Sequence, residues 1–99
     1  MNENFNKKIA KDFGLESMNS EEQEKMIEKI GNLLFESVVE RAVEMMDEET
    51  MNDFDDAIDE AGGDYQKVVA FLKSRVTGFN KVVSEELTRL KRATSGIFA

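Results

Sequence analysis

The sequence lacks cysteine, histidine and proline, and each absence excludes a class of chemistry or structure. Without cysteine, the chain forms no disulfide, thiolate nucleophile or thiolate zinc site. Without histidine, it lacks the side chain most used for proton transfer near neutral pH and the commonest metal ligand. The absence of proline, with only six glycines, favours uninterrupted helices over a turn-rich sheet.

Motifs of catalysis and metal binding are also missing. The sequence contains neither a nucleotide-binding glycine pattern nor the Gly-x-Ser-x-Gly turn of a serine nucleophile. A calcium loop starting at Asp53 fails because Ala57 and Ile58 occupy its fifth and sixth positions. We therefore predict that the protein is not an enzyme and has no catalytic residue, cofactor or metal site. A small hydrolase would need an internal pocket lined by carboxylates. We expect the acidic residues to lie on exposed helix faces instead.

Long hydrophobic runs are absent as well. The longest purely apolar run, Val68–Leu72, is far shorter than the roughly 20 residues of a membrane span. The segment Met1–Phe5 is polar and lacks the apolar core of a secretion signal. Phe5, Ile9 and Phe13 are spaced by four residues and could rest on a membrane, but three anchors are few. We expect this face to pack on the protein, no membrane contact, and a cytoplasmic location.

The remaining composition is that of one folded helical domain. The chain has 99 residues, of which 40% are hydrophobic and 34% charged, so residues 1–99 form a single domain with one core. The apolar periodicity predicts an all-α fold, a compact bundle of about five helices with a long central second helix. Residues 94–99 are predicted to be a frayed tail.

The second helix has the clearest signals. Ser20 and Gln23 form a predicted capping box at its start, with glutamates in the first turn. Its apolar positions recur every 3.6 residues and are Ile27, Ile30, Leu34, Val38, Ala42 and Met45. Further apolar residues widen this stripe over residues 35–46, so we expect neighbouring helices to surround that half.

Shorter amphipathic segments lie on both sides. A first helix is predicted over residues 4–13, ending at Gly14. Asp47 and Asp64 are predicted to cap the third and fourth helices, and Asn80 starts the fifth. The apolar positions predicted to be buried in these three helices are Met51, Phe54, Ile58 and Ala61; Val68, Val69, Phe71, Leu72 and Val76; and Val82, Val83, Leu87, Leu90 and Ala93.

The stretch from Ser20 to Leu90 contains the Glu-rich second helix, the acidic segment Asp47–Glu60, the run Val69-Ala70-Phe71-Leu72, and then Phe79, Val83 and the pair Glu85-Glu86. With these features it resembles a family of short, acidic, helical bacterial proteins described only as a domain of unknown function. It covers about seven-tenths of the chain. Because the family has no known activity, the resemblance implies neither a cofactor nor a catalytic residue.

Charge is distributed unevenly along the chain. Residues 47–64 contain nine acidic residues and no basic one, whereas residues 65–99 contain seven basic and two acidic residues. The polar face of the third helix includes Asp53, Asp55, Asp56 and Asp59. One interpretation is a solvated face that maintains solubility. The other is a docking surface for a basic partner, which would accelerate encounter with a cationic protein surface.

The C-terminal part offers two further candidate surfaces. Lys81, Arg89, Lys91 and Arg92 could contact phosphates, but the rest of the acidic chain would repel a polyanion, so we expect no direct nucleic-acid binding. The apolar spacing of the fifth helix continues to Ile97. Ile97 and Phe98 could therefore cap the core or form a hydrophobic hook for a partner or a second copy.

These features favour a non-enzymatic protein-interaction module acting as adapter, inhibitor or regulator, with another, possibly basic, protein as its partner. The residues predicted to bind the partner are Asp53, Asp55, Asp56, Asp59, Ile97 and Phe98. The alternative is a self-associating structural protein, a homodimer formed through the C-terminal helix. An acidic mimic of nucleic acid, competing with DNA for a basic protein, is an outlying possibility.

Overall fold

The computed structural model describes residues 3–94, with side chains from Asn6 onward. This range consists of five helices, α1 (Glu3–Asp12), α2 (Ser20–Glu44), α3 (Glu48–Ala61), α4 (Tyr65–Arg75) and α5 (Phe79–Ala93), and it includes no strand. The predicted all-α bundle with a long second helix is confirmed.

The start of α2 differs from the predicted capping box. Asn19 is the N-cap, and its side chain accepts a hydrogen bond from the backbone N–H of Glu22 at 2.9 Å. Ser20 is instead the first residue of the helix, and the Gln23 side-chain amide donates to the carbonyl oxygen of Leu15 at 3.0 Å. Asparagine caps a helix as well as serine does. The helix therefore begins one residue early, and Gln23 anchors the preceding loop.

The apolar stripe of α2 is buried over almost its whole predicted length. Ile27, Ile30, Leu34, Val38 and Ala42 are all buried, as the 3.6-residue period predicts. The prediction is wrong at Met45, which is exposed because α2 ends at Glu44 and Met45 is its C-cap.

The core consists of two clusters along α2. The larger contains residues of α2 to α5, namely Leu34, Val38, Ala42, Phe54, Ala61, Val68, Leu72, Val76, Phe79 and Val82. The smaller joins α1 and the following loop to the first half of α2, and contains Ile9, Ala10, Phe13, Leu15, Ile27 and Ile30. Leu87 and Leu90 of α5 pack against both clusters. Helix α5 therefore runs antiparallel to α2 and joins the two halves.

The fold is longer in one direction than in the others, with extents of 46 × 25 × 18 Å. Helix α2 has 25 residues, which corresponds to about 37 Å at 1.5 Å per residue. Its residues contribute to both core clusters, which gives α2 its central place.

Several positions predicted to be buried in α3 to α5 are exposed. These are Ile58, Val69 and Ala93, and Ala93 is the last residue of α5. The period identifies the inward face of a helix, but the width of the covered zone depends on how many neighbours reach that face. Helix α5 also begins one residue earlier than predicted, at Phe79, which is buried in the larger cluster.

Over residues 3–94, none of the helices is both long and apolar enough to span a bilayer.

Candidate functional site

Helix α3 carries most of the predicted partner-binding residues, and local signals fix both of its ends. The Asp47 side chain accepts a hydrogen bond from the backbone N–H of Thr50 at 2.8 Å and thereby caps the first turn. Glu48 and Glu49 follow in that turn, where carboxylates favour the positive end of the helix dipole. Gly62 ends the helix in the left-handed conformation, with φ 56°.

The cap also changes the acidity of Asp47. Hydrogen bonds from Thr50, from its side chain first and then from its backbone N–H, lower the pKa of the Asp47 carboxyl. Burial acts in the opposite direction and the positive charge of Arg75 acts in the same direction as the hydrogen bonds. The ionised form of Asp47 is therefore the form that the folded protein stabilises.

The inward side of α3 fixes which side faces the solvent. Phe54 and Ala61 are buried, and the ring of Phe54 lies 5.8 Å from that of Phe71 on α4, measured between centroids. Because side chains on a helix repeat every 3.6 residues, burying Phe54 and Ala61 turns Asp55, Asp56 and Asp59 away from the core.

Asp53 differs from the other predicted partner-binding aspartates. Its Oδ2 atom lies 2.9 Å from Nη2 of Arg75, so it forms an ion pair with α4. The Arg75 guanidinium also lies 5.4 Å from the centre of the Phe71 ring, within reach of a cation–π interaction. Asp53 is therefore engaged in holding α3 against α4, and we assign it a structural contact.

Asp55, Asp56 and Asp59 remain, and we call them the α3 acidic face. All three are exposed, and among the described side chains none of them forms an ion pair. Their spacing of three and four residues places Asp59 beside both Asp55 and Asp56 on the helix surface. Like charges at this spacing repel one another slightly, so the arrangement favours a nearby cation.

An apolar side chain lies next to the α3 acidic face. Ile58 is 44% exposed, and Asp55, three residues before it, is its neighbour on the helix surface. Met51 is half-buried one turn before Asp55 on the same side of the helix. This side of α3 therefore combines free carboxylates with an accessible hydrophobic spot.

The predicted C-terminal hook cannot be placed, since Ile97 and Phe98 lie outside the described residues. The basic residues predicted as a possible phosphate contact are all exposed on α5, and they are Lys81, Arg89, Lys91 and Arg92. Within residues 3–94, no group of three acidic side chains comes together as a metal site would require.

A charged cluster between α2 and α5 is absent from the sequence-based predictions. Glu86 is 4% exposed, and Arg41 of α2 reaches both Glu86 and its neighbour Glu85. A signal for this pairing exists in the sequence. Arg41 is the single basic residue between Lys29 and Lys67, and Glu85 and Glu86 are the two acidic residues after Asp64. The expectation that all carboxylates lie on exposed faces is wrong at Glu86.

A family model matches most of the chain. The sequence model of a family described as a protein of unknown function (DUF5663) matches residues 9–94. No curated protein and no solved structure matches the chain.

Proposed function

Since this chain belongs to the DUF5663 family of unknown function, we propose that it is a non-enzymatic protein-interaction module that binds a basic protein through α3. The observation that carries this proposal is the state of the α3 acidic face, whose carboxylates are exposed while Asp53 next to them is paired with Arg75. Charges that a fold already pairs contribute little to a partner, whereas unpaired exposed charges remain available to one.

Electrostatics favours a cationic partner for this surface. Residues 47–64 contain nine acidic residues and no basic one, which concentrates negative potential on this segment of the chain. Such a field attracts a basic protein and raises its association rate, an effect that salt screens over a Debye length of about 10 Å at 0.1 M. The same field repels nucleic acid.

Ile58 supplies an apolar contact, which charged side chains alone do not provide. Exposed ion pairs contribute mainly to association rate and specificity, while desolvated apolar contacts slow dissociation. An exposed isoleucine beside Asp55 can enter a small apolar pocket while the carboxylates contact surrounding lysines or arginines. The partner we infer therefore has a hydrophobic depression with a basic rim.

The test is affinity capture from the native cell with three forms of the full chain. One is the wild type and the second is D55N/D56N/D59N, which neutralises the α3 acidic face. The third, E36Q/E40Q/E44Q, is the matched control, because it also removes three negative charges from exposed positions, here on α2. Capture is compared at low and at high salt.

We expect a basic protein that the wild type and the α2 control capture at low salt and that D55N/D56N/D59N loses. High salt should release it from the wild type. Equal loss in both variants would show that only net charge matters, and retention by D55N/D56N/D59N would exclude the α3 acidic face.

Self-association through α5 is the alternative, and the packing of α5 argues against it. Leu87 and Leu90, which a dimer seam would use, already pack against both core clusters of the same chain. We therefore expect a monomer whose sedimentation coefficient does not change with concentration; a concentration-dependent increase would support the homodimer.

An acidic mimic of nucleic acid is a further alternative. If this chain and DNA compete for binding to the captured protein, that result would identify such a mimic. The cytoplasmic location and the absence of enzymatic activity stay predictions.

A further inference from the structure

Glu86 lies in the apolar stripe of α5, with an apolar residue one turn before it and another one turn after it. It is 4% exposed, and its neighbours four residues away in either direction are Val82, which is buried, and Leu90, which packs against both core clusters. A carboxylate in such a stripe loses its hydration and requires a partner inside the protein.

Arginines from both helices supply that partner. The Nη1 atom of Arg41 on α2 donates to Oε2 of Glu86 at 3.1 Å, and its Nη2 atom donates to Oε1 of Glu85 at 3.3 Å. Nη2 of Arg89, one turn further along α5, lies 3.6 Å from Glu86. The bond to Glu86 is the largest cause raising the pKa of Arg41. One guanidinium thus bridges two consecutive carboxylates of the opposing helix.

The apolar spacing of α5 does not by itself define how α5 lies along α2. Val83, Leu87 and Leu90 recur at intervals of four and three residues, so a shift by one turn again presents apolar residues to α2. The same shift would carry Glu86 to the place of Val82 or of Leu90. Its carboxylate would then be buried without Arg41, which is highly unfavourable.

On α2 the sequence leaves Arg41 without a competitor for Glu86 nearby, and Arg89 lies on α5 itself and moves with Glu86. Arg41 is the single basic residue between Lys29 and Lys67, and Glu85 and Glu86 are the two acidic residues after Asp64. A displaced Glu86 would therefore find no second arginine or lysine over most of α2.

We propose that the contact of Arg41 with Glu86 is a register lock, which selects one alignment of α5 on α2 and acts through specificity more than through stability. Buried ion pairs are often no more stabilising than apolar residues of the same size, while a buried polar group between helices can fix their register. This inference is independent of the proposed partner binding.

The test uses the absence of cysteine in the chain. A single Lys91→Cys substitution at an exposed position of α5 accepts a nitroxide label, which broadens the amide signals of nearby α2 residues in nuclear magnetic resonance spectra. The label is introduced into the wild type, into R41M/E86L, which replaces both charges by apolar groups, and into E85Q, which removes only the exposed partner of Arg41.

We expect R41M/E86L to keep its helical circular dichroism and a melting temperature close to that of the wild type. It should nevertheless show additional α5 amide signals, and the broadened region of α2 should extend by about one helical turn, roughly 5.4 Å. The E85Q variant should match the wild type. The proposal is overturned if R41M/E86L keeps one set of signals and the wild-type pattern, because apolar packing would then set the register. An unfolded R41M/E86L would also overturn it, because the pair would then be needed for stability.

Discussion

At the scale of single residues, side chains of asparagine and aspartate hold the starts of three helices. Asn19, Asp47 and Asp64 each accept a hydrogen bond from a backbone N–H in the first turn of α2, α3 and α4. Such bonds satisfy donors that a helix leaves free at its N-terminus. The sequence predicts two of these caps correctly and misplaces the third, because Asn19 and Ser20 are adjacent and both are good caps.

The corrected start of α2 leads to a direct prediction. Asn19→Ala should lower the free energy of unfolding by about 1 kcal/mol, the usual effect of losing an N-cap. Ser20→Ala should change it by less than about 0.5 kcal/mol, because Ser20 is an exposed residue within the helix. Urea unfolding of both variants measures the difference. A larger loss of unfolding free energy for Ser20→Ala than for Asn19→Ala would support the capping box that the sequence predicts.

The lowered pKa of Asp47 predicts a pH dependence with a definite sign. The folded-state pKa lies below the ordinary value of 3.8, so the contribution of Asp47 to stability is fully present above that value. It is lost as the pH falls through the lower folded-state pKa. Asp47→Asn keeps a capping oxygen but does not titrate.

We therefore expect Asp47→Asn to be slightly less stable than the wild type at pH 7 and to lose less stability on acidification. Thermal unfolding followed between neutral pH and about pH 2 checks this expectation. Parallel curves for the two proteins would mean that Asp47 does not contribute to acid destabilisation.

At the scale of helices, the periodicity of apolar residues predicts the inward faces well and the margins poorly. Leu34, Val38 and Ala42 are buried as predicted, and so are Val68 and Leu72. Errors occur beside the buried centre of a stripe and at the end of a helix, since exposure there depends on the position of a neighbouring helix. That position is a property of the assembled bundle, and a single segment contains no information about it.

Helix α4 shows the difference between centre and margin in two adjacent turns. Leu72 is completely buried, whereas Val69 is 36% exposed. Leu72→Ala should therefore lower the free energy of unfolding by about 2–5 kcal/mol, because it removes buried methyl groups and leaves a cavity. Val69→Ala should have an effect of less than about 1 kcal/mol. Chemical unfolding of the two variants compares them, and similar losses would show that Val69 belongs to the core.

At the scale of the whole molecule, the uneven charge is evident in the sequence, but its pairing is not. The sequence groups Asp53 with Asp55, Asp56 and Asp59, and the fold separates Asp53 from the others by joining it to Arg75. Contacts of this kind link residues of different helices. They depend on how α3 and α4 pack together, so charge counting along the chain does not distinguish an engaged carboxylate from a free one.

Hydrogen exchange on the complex with the captured basic protein tests the central claim most directly. Amide exchange of the full chain is measured alone and when bound, and the protected segments show where the partner lies. Our account predicts new protection in α3 around Asp55 to Asp59, with α1 unchanged. Protection confined to α1 or α5, with α3 exchanging as in the free chain, would contradict it.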